Sequence, residues 1–481
     1  MSPALEPVIG LEIHVQLATR TKMFCGCELA VGREPNSLTC PVCLGHPGTL
    51  PTLNGQAVEY CLMIAAALEC EVPAESCFHR KNYFYPDLPK GYQISQYDKP
   101  MAVAGRLGEV RVHRAHLEED AAKLTHVGES GRIHGSGASI VDFNRGGTPL
   151  VEIVTEPDIE SAAQAREWAQ LLRATLRSIR VSDCNMEEGS LRVDANVSLR
   201  PEGSDQLGVK TELKNMNSFR FLERGIEAEI ERQRALLANG QAVEQQTLHF
   251  HPEDGSITPL RSKEYAHDYR YFPEPDLVPV APTAEMLRQA REALPELPVA
   301  RQTRYAGDLG LSDETATILA FTPELGDFFD SARESGVEAS AEGLANWITG
   351  ELVARIRDQD LDEEPAVTKL TPQAMAGLVG LVESGAVSHG AAKEVLAELV
   401  ADGGDPAAVV EARGLGAIGD DAELEKIVEA AIAAEPDAAE EVRAGNEKAV
   451  GRIVGAAMRE SGGRADGGRL REIVLTSLRG G

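Results

Sequence analysis

Between residues 8 and 17 the apolar positions alternate with polar ones. Leu11, Ile13, Val15 and Leu17 share one parity, and Glu12, His14 and Gln16 the other. Successive side chains of an extended backbone point to opposite sides, so period two predicts a strand with one face on a core. Residues 191–200 repeat the pattern, with Leu191, Val193, Ala195, Val197 and Leu199 apolar and Arg192, Asp194, Asn196, Ser198 and Arg200 polar. Two stretches have helical spacing instead. Ala165, Trp168, Leu172, Leu176 and Ile179 make one stripe over 161–179, and Leu222, Ile226 and Ile230 another over 219–237. Short strands broken by Gly and Pro, with a few helices and no βαβ alternation, predict an α+β fold on an antiparallel sheet.

Beyond Pro298 the periodicity becomes almost wholly helical, near 312–321, 342–357, 371–384 and 387–401. A Gly/Asp-rich break at Ala401–Pro406 precedes three further helices, Ala422–Ala434, Ala438–Glu460 and Gly468–Leu478. A chain of 481 residues exceeds one ordinary domain of about 100–200. The expected division is a sheet-based cradle at 1–293, a helical domain at 294–403 and a small helical tail at 404–481.

Charge follows the same division. Residues 1–300 carry 30 basic and 42 acidic side chains, whereas 301–481 carry 17 and 34, for a net charge of −29 overall. Such a chain cannot attract polyanions through its bulk field, so contacts with nucleic acid must come from local basic patches. No run approaches the ~20 apolar residues of a membrane span, and Met1–Gly10 lacks the pattern of a secretory signal. A cytoplasmic protein with no membrane partner is expected.

Cysteine spacing carries the first chemical signal. Cys25-Gly-Cys27 is followed after 12 residues by Cys40-Pro-Val-Cys43, with Gly32, Pro35 and Asn36 as turn-formers between the pairs. Two close pairs joined by a loop can wrap four thiolates around a tetrahedral zinc, and four protein ligands leave no place for substrate. A structural zinc is one reading, and four reduced cysteines in a loop the other. Cys61, Cys70, Cys77 and Cys184 lack such spacing and read as small core residues.

Acidic residues on strand faces carry the second signal. Glu12 and His14 project from the same face, His116, Glu118 and Asp120 share a parity, and Glu152 sits inside the apolar run 150–156. Each acid can be an ordinary solvated or ion-paired side chain, or together they can hold a hard divalent cation. A third feature is the segment Arg80–Gln93, where Tyr83, Phe84, Tyr85 and Tyr92 interleave with Lys81 and Lys90. It suits the wall of a nucleotide or nucleic-acid site, or plain packing near turns. No P-loop, G-x-G-x-x-G or G-x-S-x-G motif is present.

Five segments together carry a resemblance: Gly10-Leu-Glu-Ile-His-Val-Gln-Leu17, Arg80-Lys-Asn-Tyr-Phe-Tyr-Pro-Asp87, His116-Leu-Glu-Glu-Asp120, Met186-Glu-Glu-Gly-Ser-Leu-Arg192 and Asp268-Tyr-Arg-Tyr-Phe-Pro-Glu-Pro-Asp276. They resemble the B subunit of the bacterial aspartyl/glutamyl-tRNA(Asn/Gln) amidotransferases, densely through residue 276 and more loosely beyond. The resemblance implies an ATP-dependent, glutamine-dependent carbon–nitrogen ligase of translation. ATP would phosphorylate the side-chain carboxylate of mischarged Glu-tRNA(Gln) or Asp-tRNA(Asn), and ammonia would displace the phosphate. It implies magnesium on Glu12, His14, Glu118 and Glu152, although histidine is an unusual ligand for that ion. It also implies a zinc-holding member of the family, with Cys25, Cys27, Cys40 and Cys43 as ligands.

Lys81, Tyr83, Tyr85 and Lys90 are the candidate substrate-binding residues. In the tail, Lys448, Arg452, Arg469 and Arg471 are the candidate tRNA contacts, with Arg443 and Arg464 nearby in sequence. Nothing in the chain resembles a glutaminase nucleophile, so it should depend on a partner for ammonia, and the resemblance implies an amidase (glutaminase) A subunit and a small C subunit completing a heterotrimer. One departure is a Gly/Ser-rich stretch, Gly128–Ala138, longer than the family's usual turn. Two competing readings are a non-catalytic, zinc-stabilised tRNA-binding scaffold and a free-standing ligase acting on a small acid. Clustered carboxylates disfavour the scaffold, because uncompensated acids repel RNA.

Overall fold

The structure is a computed structural model that describes residues 4–127, 137–261, 269–358, 365–418 and 420–479. The Gly/Ser-rich stretch, apart from Gly137 and Ala138, and the motif residue Asp268 lie outside the described residues. The chain divides into two compact units, 1–298 and 299–481, each taken by itself below.

The first unit contains β1 (Leu5–Gln16), β2 (His79–Asn82), β3 (Tyr92–Ser95), β4 (Ala102–Leu107), β5 (Val110–Glu119), β6 (Lys123–Val127), β7 (Ala138–Asp142), β8 (Pro149–Thr155), β9 (Leu191–Pro201), β10 (Thr211–Met216), β11 (Thr247–Phe250), β12 (Ile257–Arg261) and β13 (Phe272–Pro273). Its helices are α1 (Gly55–Ala67), α2 (Ala162–Ser178), α3 (Phe219–Ala238) and α4 (Ala284–Glu292). Eight strands form one sheet in the order β12-β11-β10-β9-β1-β8-β5-β4. The pairs are antiparallel except β10 with β11, which run parallel, so the sheet is mixed rather than purely antiparallel. The long α3 crossover between those two strands accounts for the exception, since parallel neighbours need a connection that returns to the same end.

The predicted periodicities are realised. Leu11, Ile13 and Val15 of β1, Val151 and Ile153 of β8 and Val193, Ala195 and Val197 of β9 are all buried on one sheet face. The stripes of α2 and α3 join the same core, with Trp168, Leu172, Leu176, Leu222 and Ile226. Trp168 Nε1 donates to Leu107 O at 3.0 Å, so the indole is buried without losing its hydrogen bond. Caps fix where these helices begin. Ser161 Oγ accepts from Gln164 N and Ser218 Oγ from Phe221 N, each satisfying an orphan first-turn donor. The opposite sheet face carries the polar parity and forms the site. A small sheet, β13-β2-β3, and the hairpin of β6 with β7 complete the unit.

In the second unit all named elements are helical. They are α5 (Pro298–Gly307), α6 (Asp313–Phe321), α7 (Pro323–Arg333), α8 (Ala341–Asn346), α9 (Val353–Asp358), α10 (Pro372–Glu383), α11 (His389–Asp402), α12 (Pro406–Arg413), α13 (Asp421–Ala434), α14 (Pro436–Arg443), α15 (Val450–Glu460) and α16 (Gly467–Arg479). Two expected helices are broken. The 342–357 segment passes through a π-helical turn at Trp347–Leu352, and 438–460 divides at Gly445, whose φ of +98° no helix accommodates. Two hydrophobic cores fill the unit. Val409 on α12 and Leu415 belong to the first and Ile418 to the second, so the Gly/Asp break at 401–406 falls within the first core. Among the described residues no helix is long and apolar enough to cross a membrane.

Candidate active site

Strand register places the polar residues in rows. His14 on β1 stands opposite Glu152 on β8 and Arg192 on β9, and Glu152 stands opposite His116 on β5. One row therefore reads His116–Glu152–His14–Arg192 across four adjacent strands. Two residues along, Glu12 stands opposite Asp194 and Val154, and Val154 opposite Arg114. Neighbouring strands lie about 4.8 Å apart, so these side chains meet whatever their separation in sequence.

His14 Nε2 is the hub. It lies 3.5 Å from Glu152 Oε2, 3.6 Å from Glu118 Oε1 and 4.0 Å from Glu12 Oε1. His116 Nε2 approaches Glu152 Oε2 at 3.4 Å and Glu118 Oε2 at 3.8 Å. These spacings are long for hydrogen bonds. They match the ~3–4.2 Å between ligand atoms that share an ion at about 2.1 Å from each. Two overlapping groups are close enough to hold an ion, His14 with Glu118 and Glu152, and Glu12 with His14 and Asp194. The donor set is mainly carboxylate oxygen, which suits a hard divalent cation.

Burial makes the charges interdependent. Glu118 is 2% exposed and Glu152 6%, a placement that carboxylates tolerate only with compensating charge. Burial raises both carboxyls, but His116, His14 and Lys81 outweigh it and hold Glu118 low and Glu152 well below the ordinary range. Glu12 moves the other way, raised by burial and by the charge of Glu152. Burial also opposes a charge on His14, yet the close approach and charge of Glu152 and the charges of Glu118 and Glu12 lift it to about 9. Acidic groups with different proton affinities thus surround one histidine.

Flanking cations close the network. Lys214 Nζ donates to Asp194 Oδ2 at 2.7 Å and reaches Glu212 at 3.3 Å. Arg192 makes a two-pronged contact with Asp120, both distances 3.2 Å, and Gln16 donates to the same carboxylate at 2.7 Å. A cavity of about 460 Å³ opens beside His14, lined by Glu187, Glu188, Arg192, Asp194, Lys214 and Asn217 among others.

The four cysteines Cys25, Cys27, Cys40 and Cys43 converge as well, with all four sulfurs within 4.8 Å of one another. Four ligands at the zinc–sulfur distance of about 2.3 Å would be some 3.8 Å apart, so the cluster is compatible with zinc. The loop between the pairs is clamped to the strand hairpin. Asn36 Nδ2 donates to Val141 O at 3.1 Å, and Asn144 Oδ1 accepts from Leu38 N at 2.8 Å. Cys43 is held down near 4 by its bonds to Cys25 and the Cys40 backbone and by Lys22, despite burial, while Cys25 is driven up by the same bond.

Comparison with known proteins decides the family. A family model described as the GatB/GatE catalytic domain matches residues 7–288, and one described as the GatB domain matches residues 327–478. The B subunit of the aspartyl/glutamyl-tRNA(Asn/Gln) amidotransferase from Moorella thermoacetica is 48% identical over 98% of this chain and 99% of its own length. The proteins of that name from Nocardia farcinica and Thermus thermophilus are each 47% identical, over 98% of this chain and 96% and 99% of theirs. The chain belongs to the B-subunit family of these amidotransferases.

Not every candidate residue singled out in the sequence gathers at the acidic rows. Lys81 does, within reach of Glu118, Glu152 and Tyr271, with Nζ 5.1 Å from the Tyr269 ring centre. Tyr83 packs edge-on against Tyr269 at 6.1 Å. Lys90 does not, because the β2–β3 turn carries it to Glu119 and to the cavity beside Cys25 and Cys43. Tyr85 is 41% exposed. In the tail, Lys448 and Arg471 line one concavity. Arg452 is tied to Glu441, and Arg469 to Asp421 and Glu472.

Sequence reasoning missed Asp194 and Lys214 as members of the site. Asp194 had a visible signal, since it lies on the polar parity of a half-buried strand. What the pattern could not give was that β9 is the neighbour of β1 in the register that sets Asp194 beside Glu12.

Proposed function

We propose that this chain is the ATP-using component of a tRNA-dependent amidotransferase. Its substrate would be the side-chain carboxylate of Glu-tRNA(Gln), Asp-tRNA(Asn) or both, converted to the amide with ammonia from an amidase A subunit that a small C subunit braces. The observation that carries this reading is the convergence of Glu12, His14, Glu118 and Glu152 on one sheet face, with Asp194 beside them, in a chain of this family.

A carboxylate is a poor electrophile because oxide is a prohibitive leaving group. Phosphorylation removes that obstacle, and ammonia can then displace phosphate. The difficult step is bringing an anionic carboxylate to an anionic γ-phosphate. Magnesium held by Glu12, His14, Glu118 and Glu152 would supply positive charge between those groups. The protein's own cations act in the same sense. Lys81 and Lys214, kept charged by their acidic neighbours, flank the rows on opposite sides. Tyr83, Tyr269 and Tyr271 wall the Lys81 side and limit water, which would compete with ammonia for an acyl phosphate.

The four-cysteine loop would hold a structural zinc, and cradle residues 1–293 would do the chemistry. Residues 294–403 and the tail at 404–481 would present the tRNA, with Lys448, Arg452, Arg469 and Arg471 as the phosphate contacts. A cytoplasmic site of action follows from a role in translation.

Reconstituting the chain with its amidase and small partner subunits gives the test. ATP-dependent formation of Gln-tRNA(Gln) from Glu-tRNA(Gln) is expected with either glutamine or ammonium chloride as nitrogen donor. Binding of the mischarged tRNA without any ATP turnover would favour a non-catalytic scaffold instead.

A further inference from the structure

Lys22 is 1% exposed, yet among the described residues no carboxylate pairs with it. Its stem packs over Gly147, whose φ is +87°. Its ammonium donates to Phe143 O at 2.9 Å and to Cys43 Sγ at 3.7 Å. Of the acids lining the same cavity, Glu119 is committed to Lys90 and to the backbone N–H of Ile94, and Asp276 to Arg80.

A buried ammonium whose partners are one carbonyl and a single cysteine sulfur is costly unless more negative charge gathers beside it. Four thiolates around a divalent ion carry a net charge of two negatives, which supplies that compensation in full. We propose that Lys22 is the built-in counter-charge of the four-cysteine metal site. It acts as a positioning residue on Cys43, whose sulfur also accepts from Cys40 N at 3.2 Å. Two donors on one sulfur draw off part of its charge and fix its direction toward the other three. The inference rests on the reading of the cluster as a zinc site.

The backbone next to Lys22 ties the cluster to the acidic rows. Met23 N donates to Gly147 O at 2.7 Å, and Gly147 N to Asp120 O at 2.8 Å, at the end of β5. Lys22 therefore sits at the junction of the cysteine loop and the strand that carries Glu118.

The full-length chain, Lys22→Met and Lys22→Gln provide the test, read as zinc transfer to a chromogenic chelator and as melting temperatures with and without zinc. Both variants should release zinc at least about tenfold faster than wild type, the scale on which outer-shell partners act. Lys22→Met should lower the melting temperature more in the zinc-loaded form than in the stripped form, because only the loaded form gathers four thiolates for the ammonium to offset. Equal destabilisation of both forms, or wild-type zinc retention, would overturn the role of Lys22 while leaving the zinc reading intact. A wild-type chain that takes up no zinc would overturn both.

Discussion

Glu152 lies between two histidines, His14 and His116, and is itself only 6% exposed. Replacing it with Gln keeps the shape and removes the charge that orders both rings. Glu152→Gln should weaken binding of manganese, as a spectroscopic probe of the magnesium site, by at least about tenfold, since even outer-shell changes cost 10–100-fold. Titration followed by electron paramagnetic resonance measures this directly, and unchanged affinity would remove Glu152 from the ligand set. A second residue bears on stability with pH. Asp158 accepts from Arg111 at Nη2, Nε and the backbone N–H, at 2.6, 2.9 and 3.0 Å, and these bonds hold its carboxyl below the ordinary range. A depressed carboxyl contributes stability above its unfolded pKa of about 3.9 and loses it as pH falls through the folded value. Asp158→Asn should therefore lower stability at pH 7 and flatten the loss between pH 4 and acid, seen in denaturant midpoints across pH. A parallel downward shift at all pH values would contradict the sign.

At the scale of elements, the strands and helices were legible because each carries its own period. Val8–Leu17 predicted a strand with Glu12 and His14 on one face, and β1 runs Leu5–Gln16 with both on the polar side. Residues 161–179 predicted α2, which runs Ala162–Ser178 behind its Ser161 cap. Ser161→Ala should cost about 1 kcal/mol by leaving the Gln164 N–H without its partner. In a unit of this size that is a fall of roughly 2–4 °C, read by calorimetry, and no change would show that the cap is replaceable by water. What remained illegible depended on partners far off in sequence. Lys81 and Lys90 belong to one segment and looked equivalent, but a strand and a turn separate them, so one faces carboxylates and the other Glu119. The 438–460 helix misled because Ala and Glu dilute the break at Gly445. Asp194 carried the right parity without a visible neighbour, since register is a property of the assembled sheet.

Over the whole molecule the charge of −29 sets the problem that binding tRNA must solve. Attraction has to be local. Lys448 and Arg471 are the two tail candidates that share a concavity, and among the described residues neither is tied to a carboxylate. Replacing both with Ala should weaken binding of mischarged tRNA and reduce the slope of log affinity against log salt by roughly 1–2, about 0.7–0.9 per lost phosphate contact. Filter binding across salt concentrations distinguishes this from a loss of fold, which would abolish binding at every concentration. In the first unit the polar and apolar parities of one sheet do separate tasks. One face builds the core with α2 and α3, while the other collects the acids, so the site is held by the strands that stabilise the fold. The most direct measurement is tRNA-dependent release of the γ-phosphate of ATP by the reconstituted complex carrying Glu12→Gln, with tRNA affinity measured in parallel. Loss of at least about a hundredfold in turnover with tRNA binding intact is expected if the acidic rows hold the cation that offsets charge in the transition state. Full turnover by Glu12→Gln would mean that those carboxylates are structural and that the phosphoryl chemistry lies elsewhere.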